Sequence, residues 1–388
     1  MAARARFGDD FPLPRTAAVL EEGIERGHHI GSQIYVSRRA ERVAEGAIGE
    51  SRPGVAMATD TLVLWLSMGK PLTAVLIARL VDAGKLDIHA PVAEVIPEFA
   101  QAGKEQVTVA HLLTHSGGFR NVGSNWTSEP WDAILRRIGG AALEEEWIVG
   151  ETAGYHTSSS WFVLAEVARR VLGHDDPGVM YRREILEPLG MGDSWIGMPR
   201  HRWIDYGTRV GFMYDTHRRE GPEAELRPLG FANSEAGSVL CRPGGNARGP
   251  MRELGRLYEQ LLVDRGDIDV AQSRVTSGAT PHFLSTDTAS LFTSCRLCEV
   301  YDKTFGTKLD WGYGFIVNAP GRRFPYNYGP HASATAFGHS GNQSTCAFAD
   351  PEHGLVVAWA TNGMPGELPH QRRQTAVNKA VYEDLSLA

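Results

Sequence analysis

The 388-residue sequence predicts an α/β (α+β) fold: an antiparallel sheet assembled from both ends of the chain, flanked by helices, with a large mainly helical segment inserted between its two halves. Three observations carry this. Strand-like runs cluster near the N-terminus and return near the C-terminus. Residues 87–290 between them read as helices and long loops. A serine stands where a strand-like run gives way to a long apolar helix. A chain of this length exceeds one comfortable core. The expected division is a discontinuous α/β domain over 1–86 and 291–388, and a mainly helical domain over 87–290.

The elements follow in order. Residues 15–26 read as a helix with Ala18, Leu20 and Ile24 on one side. Residues 31–37 and 41–47 read as strands, and the short polar link Arg38-Arg39-Ala40 suits a hairpin. A strand-like run over 61–66 leads into a helix in which Leu72, Val75, Leu76, Arg79 and Leu80 recur at near-helical intervals. Pro71 falls in its first turn, where a missing N–H costs little, and Gly84 supplies a stop. Pro97, Gly103, Gly139-Gly140 and Pro243-Gly244-Gly245 punctuate the middle. Strand character returns at 311–317, 344–350 and 355–360, the last two joined by the turn Pro351-Glu352-His353-Gly354. A helix over 370–385 closes the chain.

Composition narrows the function. Hydrophobic residues make up 42% and charged residues 22%, ordinary for a soluble globular protein. A net charge of −7 argues against nucleic acid as a partner. No apolar stretch approaches the roughly 20 residues of a membrane span. The first ten residues lack an apolar h-region and turn acidic early, so a cytoplasmic location is expected. Cys295 and Cys298 have the spacing of a redox or half-zinc motif, but no second CxxC or HxxxH completes it. Reduced structural thiols are expected there and at Cys241 and Cys346. His174-Asp175-Asp176 lies in a helix-ending turn between Gly173 and Pro177, and neither a metal nor a cofactor is expected.

The chemistry-bearing motif is Ser67-Met68-Gly69-Lys70. A serine at a helix N-terminus stands among N–H groups without helical partners. A lysine three positions later lies one turn on, on the same face. Serine needs a base to become a nucleophile at neutral pH, and lysine serves only if burial or nearby positive charge keeps it neutral. Taken alone, Ser-x-x-Lys is most often a helix cap followed by a solvated lysine. Here the helix is apolar almost all round, and a lysine at the start of a buried helix points to acyl transfer through a serine.

Four features together resemble the serine β-lactamase and penicillin-binding-protein superfamily, in its class C-like esterase branch, over residues 15–385. They are Ser67-x-x-Lys70 with Gly84-Lys85-Leu86-Asp87 and Pro91-Val92 downstream, and the run from Val109 to Gly118, similar to the family's "hLLtHtSG" loop. The third is Tyr155-His156-Thr157, and the fourth is Gly338-His339-Ser340-Gly341. The resemblance implies a β-lactamase/DD-peptidase-like fold. It implies Ser67 as the acylated nucleophile, with Lys70 and Tyr155 as the proton-transfer pair and the choice of principal base open. If adjacent positive charge lowers its pKa, Tyr155 becomes a proton relay. The strand His339-Ser340-Gly341 lines the site, and the backbone N–H groups of Ser67 and Asn342 form the oxyanion hole. His115 and Ser116 fall in a structural loop. Ser340, in an incomplete Gly-x-Ser-x-Gly, is set aside as a nucleophile.

Two departures bear on specificity. His339 stands where penicillin-recognising members carry a lysine that helps bind a carboxylate, and Thr157 replaces an asparagine that donates to an acyl amide. The acylation machinery is present, and the groups that recognise penicillin-like ligands differ. Aromatic residues between Gly123 and Trp131, Trp126 among them, and the loop residues Asn246 and Arg248 are further substrate-contact candidates. The expected activity is cleavage of a small-molecule ester or amide through a Ser67 acyl-enzyme. The alternatives are a transacylase of secondary metabolism passing the acyl group to an amine or alcohol, a β-lactamase or DD-peptidase, and a non-catalytic scaffold. Neither oligomeric state nor the identity of the acyl group is legible.

Overall fold

The computed structural model describes residues 6–120, 122–123, 128–269, 282–322 and 326–388. The chain opens with α1 (Pro14–Glu25) and the hairpin β1 (Gly31–Arg38) and β2 (Glu41–Arg52), followed by β3 (Val55–Ala56) and β4 (Val63–Leu64). Arg39 and Ala40 make the hairpin turn with positive φ. α2 (Lys70–Asp82) follows a 3-10 turn over Leu66–Gly69. The middle of the chain holds α3 (Val109–Leu113), α4 (Trp131–Gly140), α5 (Ser159–Leu172), α6 (Pro177–Tyr181) and α7 (Arg200–Tyr206). Next come the short strands β5 (Tyr214–Asp215) and β6 (Arg227–Pro228), α8 (Glu235–Val239), β7 (Arg248–Gly249), α9 (Met251–Asp264) and α10 (Thr286–Thr293). The C-terminal part supplies β8 (Leu297–Asp302), β9 (Thr307–Trp311), β10 (Ile316–Val317), β11 (Phe337–Gly341), β12 (Thr345–Asp350), β13 (Leu355–Thr361), β14 (Gly363–Met364) and α11 (Glu367–Asp384).

Nine strands form one antiparallel sheet in the order β3-β2-β1-β13-β12-β11-β10-β9-β8. The N-terminal hairpin joins the C-terminal strands through β1 and β13, with Ile34 opposite Trp359. This closes the sheet from both chain ends, as the strand-like runs predict. Alternation along β12 and β13 splits the core. Ala347, Ala349, Val356 and Ala358 face a core containing Leu72, Val75 and Leu76 of α2 and Leu261 of α9. Cys346, Phe348, Val357 and Trp359 face α1 and α11, meeting Leu20, Val377 and Val381. Each of the larger aliphatic and phenylalanine side chains among these contributes roughly 1.5–3 kcal/mol on full burial.

Several elements differ from expectation. The strand expected over 61–66 shortens to Val63–Leu64, because Trp65 turns inward and Leu66 takes a positive φ. The run 311–317 divides into β9 and β10 around Gly312-Tyr313-Gly314, where Gly314 has φ +84°. Strands β8 and β9 extend the sheet where sequence alternation is weak. α9, inside the segment expected to be inserted, packs on the sheet itself: the Tyr35 hydroxyl donates to Glu259 at 2.7 Å, and the Met251 N–H donates to Gln33 at 3.0 Å.

Cys295 and Cys298 are joined by a disulfide, correcting the expectation of reduced thiols. Their Cα atoms, at and just before the start of β8, lie 5.8 Å apart, within bridging range. Cys241 and Cys346 are free. Among the described residues no helix is long and apolar enough to cross a membrane, and no group of three His, Cys, Asp or Glu is placed to hold a metal.

Candidate active site

The turn that carries Ser67 is clamped from three sides. Trp65 is fully buried, its indole N–H donates to the Gly249 carbonyl at 2.8 Å, and its backbone N–H donates to Ala247 at 2.8 Å. The Thr345 hydroxyl donates to the Trp65 carbonyl at 3.1 Å, tying the turn to the sheet. A Cβ at Gly341 would lie 2.6 Å from that carbonyl and press on the Thr345 hydroxyl, so only glycine lets β11 come this close. Held this way, Leu66 adopts φ +52°, a left-handed conformation that costs about 1–3 kcal/mol in a non-glycine residue. Such strain is retained where the surroundings over-determine it. Ser67 thus sits in the 3-10 turn just before α2, half-buried, at the mouth of that helix's N-terminus.

Lys70 is the first residue of α2 and has no exposed surface. Its Nζ lies 2.9 Å from Ser67 Oγ and 2.5 Å from the Gly244 carbonyl. It also sits over the Tyr155 and Trp161 rings, 5.1 and 5.6 Å from their centroids. It forms no ion pair with a carboxylate among the described residues. Burial pushes its pKa well below the ordinary lysine value.

Tyr155 approaches from the other side, its hydroxyl 2.8 Å from Ser67 Oγ. Burial pushes the Tyr155 pKa up, opposed by the Ser67 hydrogen bond and reinforced by the nearby Asp302 charge. The condition of a lowering by adjacent positive charge is not met, because desolvation is the largest influence. The ring is wedged against His115 at 4.8 Å, Phe305 at 5.1 Å and Trp311, stacked at 6.0 Å. Asp302 holds its backbone: Oδ1 accepts from the N–H groups of Tyr155, Thr304 and Phe305, and Oδ2 from the Trp311 indole.

The third motif divides by register. His339 stands opposite Ala347 and Ser340 opposite Cys346, so the two side chains point to opposite sheet faces. The His339 ring lies 5.9 Å from that of Tyr155, on the Ser67 side. Its Nδ1 is 2.8 Å from the Ser340 carbonyl and therefore carries the proton, which leaves Nε2 an acceptor without a partner among the described residues. Burial first, and then the Lys70 amine, push its pKa down to about 3. Ser340 faces the α1–α11 layer with Cys346, away from Ser67, which corrects its expected place among the substrate contacts. Asn342 is exposed and follows Gly341, the residue that packs against the Trp65 carbonyl and Leu66. Thr157 is exposed, and its carbonyl packs on Gly244.

The geometry adds residues that sequence reasoning passed over. Gly244, not Asn246 or Arg248, is the loop residue at the site. Asn246 braces its own loop, accepting from the Arg242 N–H and donating to the Gly237 carbonyl. Arg248 is buried and donates to the Gly211 and Ala232 carbonyls. The proline-glycine-glycine sequence marked the loop, but no local signal tells which carbonyl turns inward. Asp302 lay in a run without alternation and gave no signal. His115 lies behind Tyr155, its Nδ1 accepting from the His156 N–H at 3.0 Å, which gives the "hLLtHtSG" loop a buttressing place. Of the aromatic candidates, Trp131 packs on Phe162 and donates to Glu166, and Trp126 lies outside the described residues.

A nucleophile held between a buried amine and a phenol, on a turn braced by a sheet edge, can accept and release an acyl group. The "Beta-lactamase" family model matches residues 16–382. Esterase EstB of Burkholderia gladioli is 26% identical over 95% of this chain and 94% of its own. A penicillin-binding-protein homologue from Caulobacter crescentus superposes with a TM-score of 0.79 at 28% identity, covering 98% of this chain and 100% of that one. A family VIII carboxylesterase superposes with a TM-score of 0.78 at 25% identity, with the same coverage. With the family model spanning nearly its whole length, and with the sheet and the Ser67 turn arranged as described, the chain belongs to the beta-lactamase family.

Proposed function

We propose that this protein hydrolyses small uncharged carboxylic esters through a Ser67 acyl-enzyme, with Lys70 as the base that activates the serine. The carrying observation is that Ser67 Oγ lies 2.9 Å from an amine with no exposed surface and, among the described residues, no carboxylate partner. Burial disfavours the charged form of this amine, and its neutral form has a lone pair to take the Ser67 proton. The esterase and carboxylesterase names among the relatives support the ester reading.

The steps follow from the positions. Ser67 gives its proton to Lys70 Nζ while Oγ bonds to the ester carbon, and the carbonyl electrons move to oxygen. The oxyanion lies against the backbone N–H groups of Ser67 and Asn342. As the tetrahedral centre collapses, the departing alkoxide takes the Tyr155 proton, and the Lys70 ammonium restores it. Because burial raises its pKa, Tyr155 acts as a proton donor and not as a resident phenolate. Water then enters by the reverse sequence and releases the acid.

His339 sets the preference for uncharged substrates. Its Nε2 presents a lone pair where a lysine would present a cation. A substrate carboxylate placed there meets electron density and no counter-charge, so penicillin-like and D-alanyl substrates are disfavoured.

The test is intact-protein mass spectrometry after brief exposure to p-nitrophenyl esters of graded chain length, with nitrocefin in parallel. The expected result is a decaying acyl adduct on Ser67 from the esters and slow or absent acylation by nitrocefin. Added amines or alcohols show whether they intercept the acyl group. Rapid nitrocefin turnover with inert esters overturns the reading.

A further inference from the structure

A groove of about 230 Å³ runs between α1 and α11, on the sheet face opposite Ser67. Its polar lining is Arg26, His28, Arg372 and Arg373, with Glu22 as its acid, and Val19 and Ala376 form apolar wall. Glu22 is engaged with Arg26 at 2.5 Å. Arg372 and Arg373 form no ion pair among the described residues. A net positive groove on a chain of net charge −7 stands out from its surroundings.

Arg373 is the unusual member. It is only 5% exposed, yet its hydrogen-bond partners among the described residues are neutral: His29 Nδ1 at 3.1 Å, His370 Nδ1 at 3.2 Å and the carbonyls of Gln343 and Gly363 at 2.8 and 3.2 Å. Its Nε has no partner among the described residues. A buried guanidinium is normally matched by a carboxylate or phosphate, because an uncompensated buried charge is expensive. The surrounding rings register its field. His28, His29 and His370 all have lowered pKa values, from burial first and then from Arg373.

We propose that the α1–α11 groove binds a small oxyanion, a carboxylate or phosphate head on a short apolar body, seated on Arg373 and flanked by Arg26 and Arg372. The head supplies the missing counter-charge, and Val19 and Ala376 cover the body. Through the Gln343 carbonyl, Arg373 also holds the turn that follows Asn342, which links the groove to the strand end beside Ser67.

Sodium butyrate and inorganic phosphate, each titrated against sodium chloride at matched ionic strength, test this by thermal melting and calorimetry on the full chain. Saturable stabilisation is expected from at least one of them, as for any ligand that binds only the native state. Butyrate alone identifies an organic acid site, and phosphate alone identifies a phosphate site. Arg26→Gln/Arg372→Gln changes exposed residues only and is expected to weaken Kd about tenfold or more, the loss of roughly one charge-assisted contact. Arg373→Gln should abolish binding, with its fold checked by circular dichroism. Stabilisation by neither anion beyond chloride overturns the proposal, as does an unchanged Kd in the double variant. The readout is binding, so it stands or falls independently of ester turnover.

Discussion

Replacing Lys70 by methionine separates catalysis from stability in a way that tests the protonation state of the site. Methionine keeps the length and most of the volume, so α2 remains packed. The variant loses the contacts to Ser67 and to the Gly244 carbonyl, a loss of about 1–3 kcal/mol. It also removes a group whose charged form burial disfavours in the folded chain, while the unfolded chain holds the proton up to the ordinary lysine value of 10.5. Across the window from the depressed folded pKa up to 10.5, the unfolded wild type binds more protons than the folded. Wild-type stability therefore gains about 1.4 kcal/mol per pH unit from this one group as pH rises. Lys70→Met lacks that gain. Its stability relative to wild type should be most favourable at the low end of the window and decline toward pH 10.5. Ester turnover should meanwhile fall about 10²–10⁴-fold, the usual worth of a general base. Denaturant melts at several pH values, with p-nitrophenyl ester kinetics, measure both. A relative stability that stays flat across that window would mean the folded lysine is charged. Residual activity above a tenth of wild type would place the base elsewhere.

Four further outcomes follow from the geometry. Ser67→Ala should abolish acylation, read by intact mass, while the melting temperature moves by no more than a degree or two. Tyr155→Phe keeps the packed ring but removes the hydroxyl 2.8 Å from Ser67 Oγ, and kcat/KM should fall about 10²-fold or more without loss of fold. Gly341→Ala drives a methyl to 2.6 Å from the Trp65 carbonyl and should cost about 1–3 kcal/mol in a denaturant melt, with reduced turnover. The kcat/KM of wild type should rise with pH through the depressed Lys70 pKa, with its acid limb below the range where ordinary lysines titrate; a profile flat from pH 6 to pH 9 with a limb only near 10.5 contradicts a neutral base.

The readable parts of the sequence were those where local pattern and tertiary placement agree. α2 is buried on nearly every side, so its apolar repeat and the lysine at its head stood out together. β1, β12 and β13 are buried on both faces and read as strands on composition alone. What stayed hidden depends on partners distant in the chain. The Gly244 carbonyl becomes a ligand for Lys70 across 174 positions, and Asp302 receives the Tyr155 N–H across 147. β8 is an edge strand with a largely exposed pattern, so it carries no alternation to read. Ser340 shows the converse: the motif gives it a place in the site, and the two-residue period of the ladder turns it away.

Three unfavourable features meet around Ser67: a left-handed leucine immediately before it and, among the described residues, a buried amine without a counter-ion three residues after it and a buried imidazole acceptor without a partner. Any one of them is easily removed by substitution, and a scaffold that only had to fold would gain stability by losing them. Each instead serves one step. The turn through Leu66 places Ser67 Oγ between Lys70 and Tyr155. Burial without a counter-ion gives the amine its lone pair. The neutral His339 presents a lone pair and no cation to the substrate. The clamp of Trp65, Gly341 and Thr345 is what holds all three in place, so mutations in the clamp should reduce turnover before they unfold the chain.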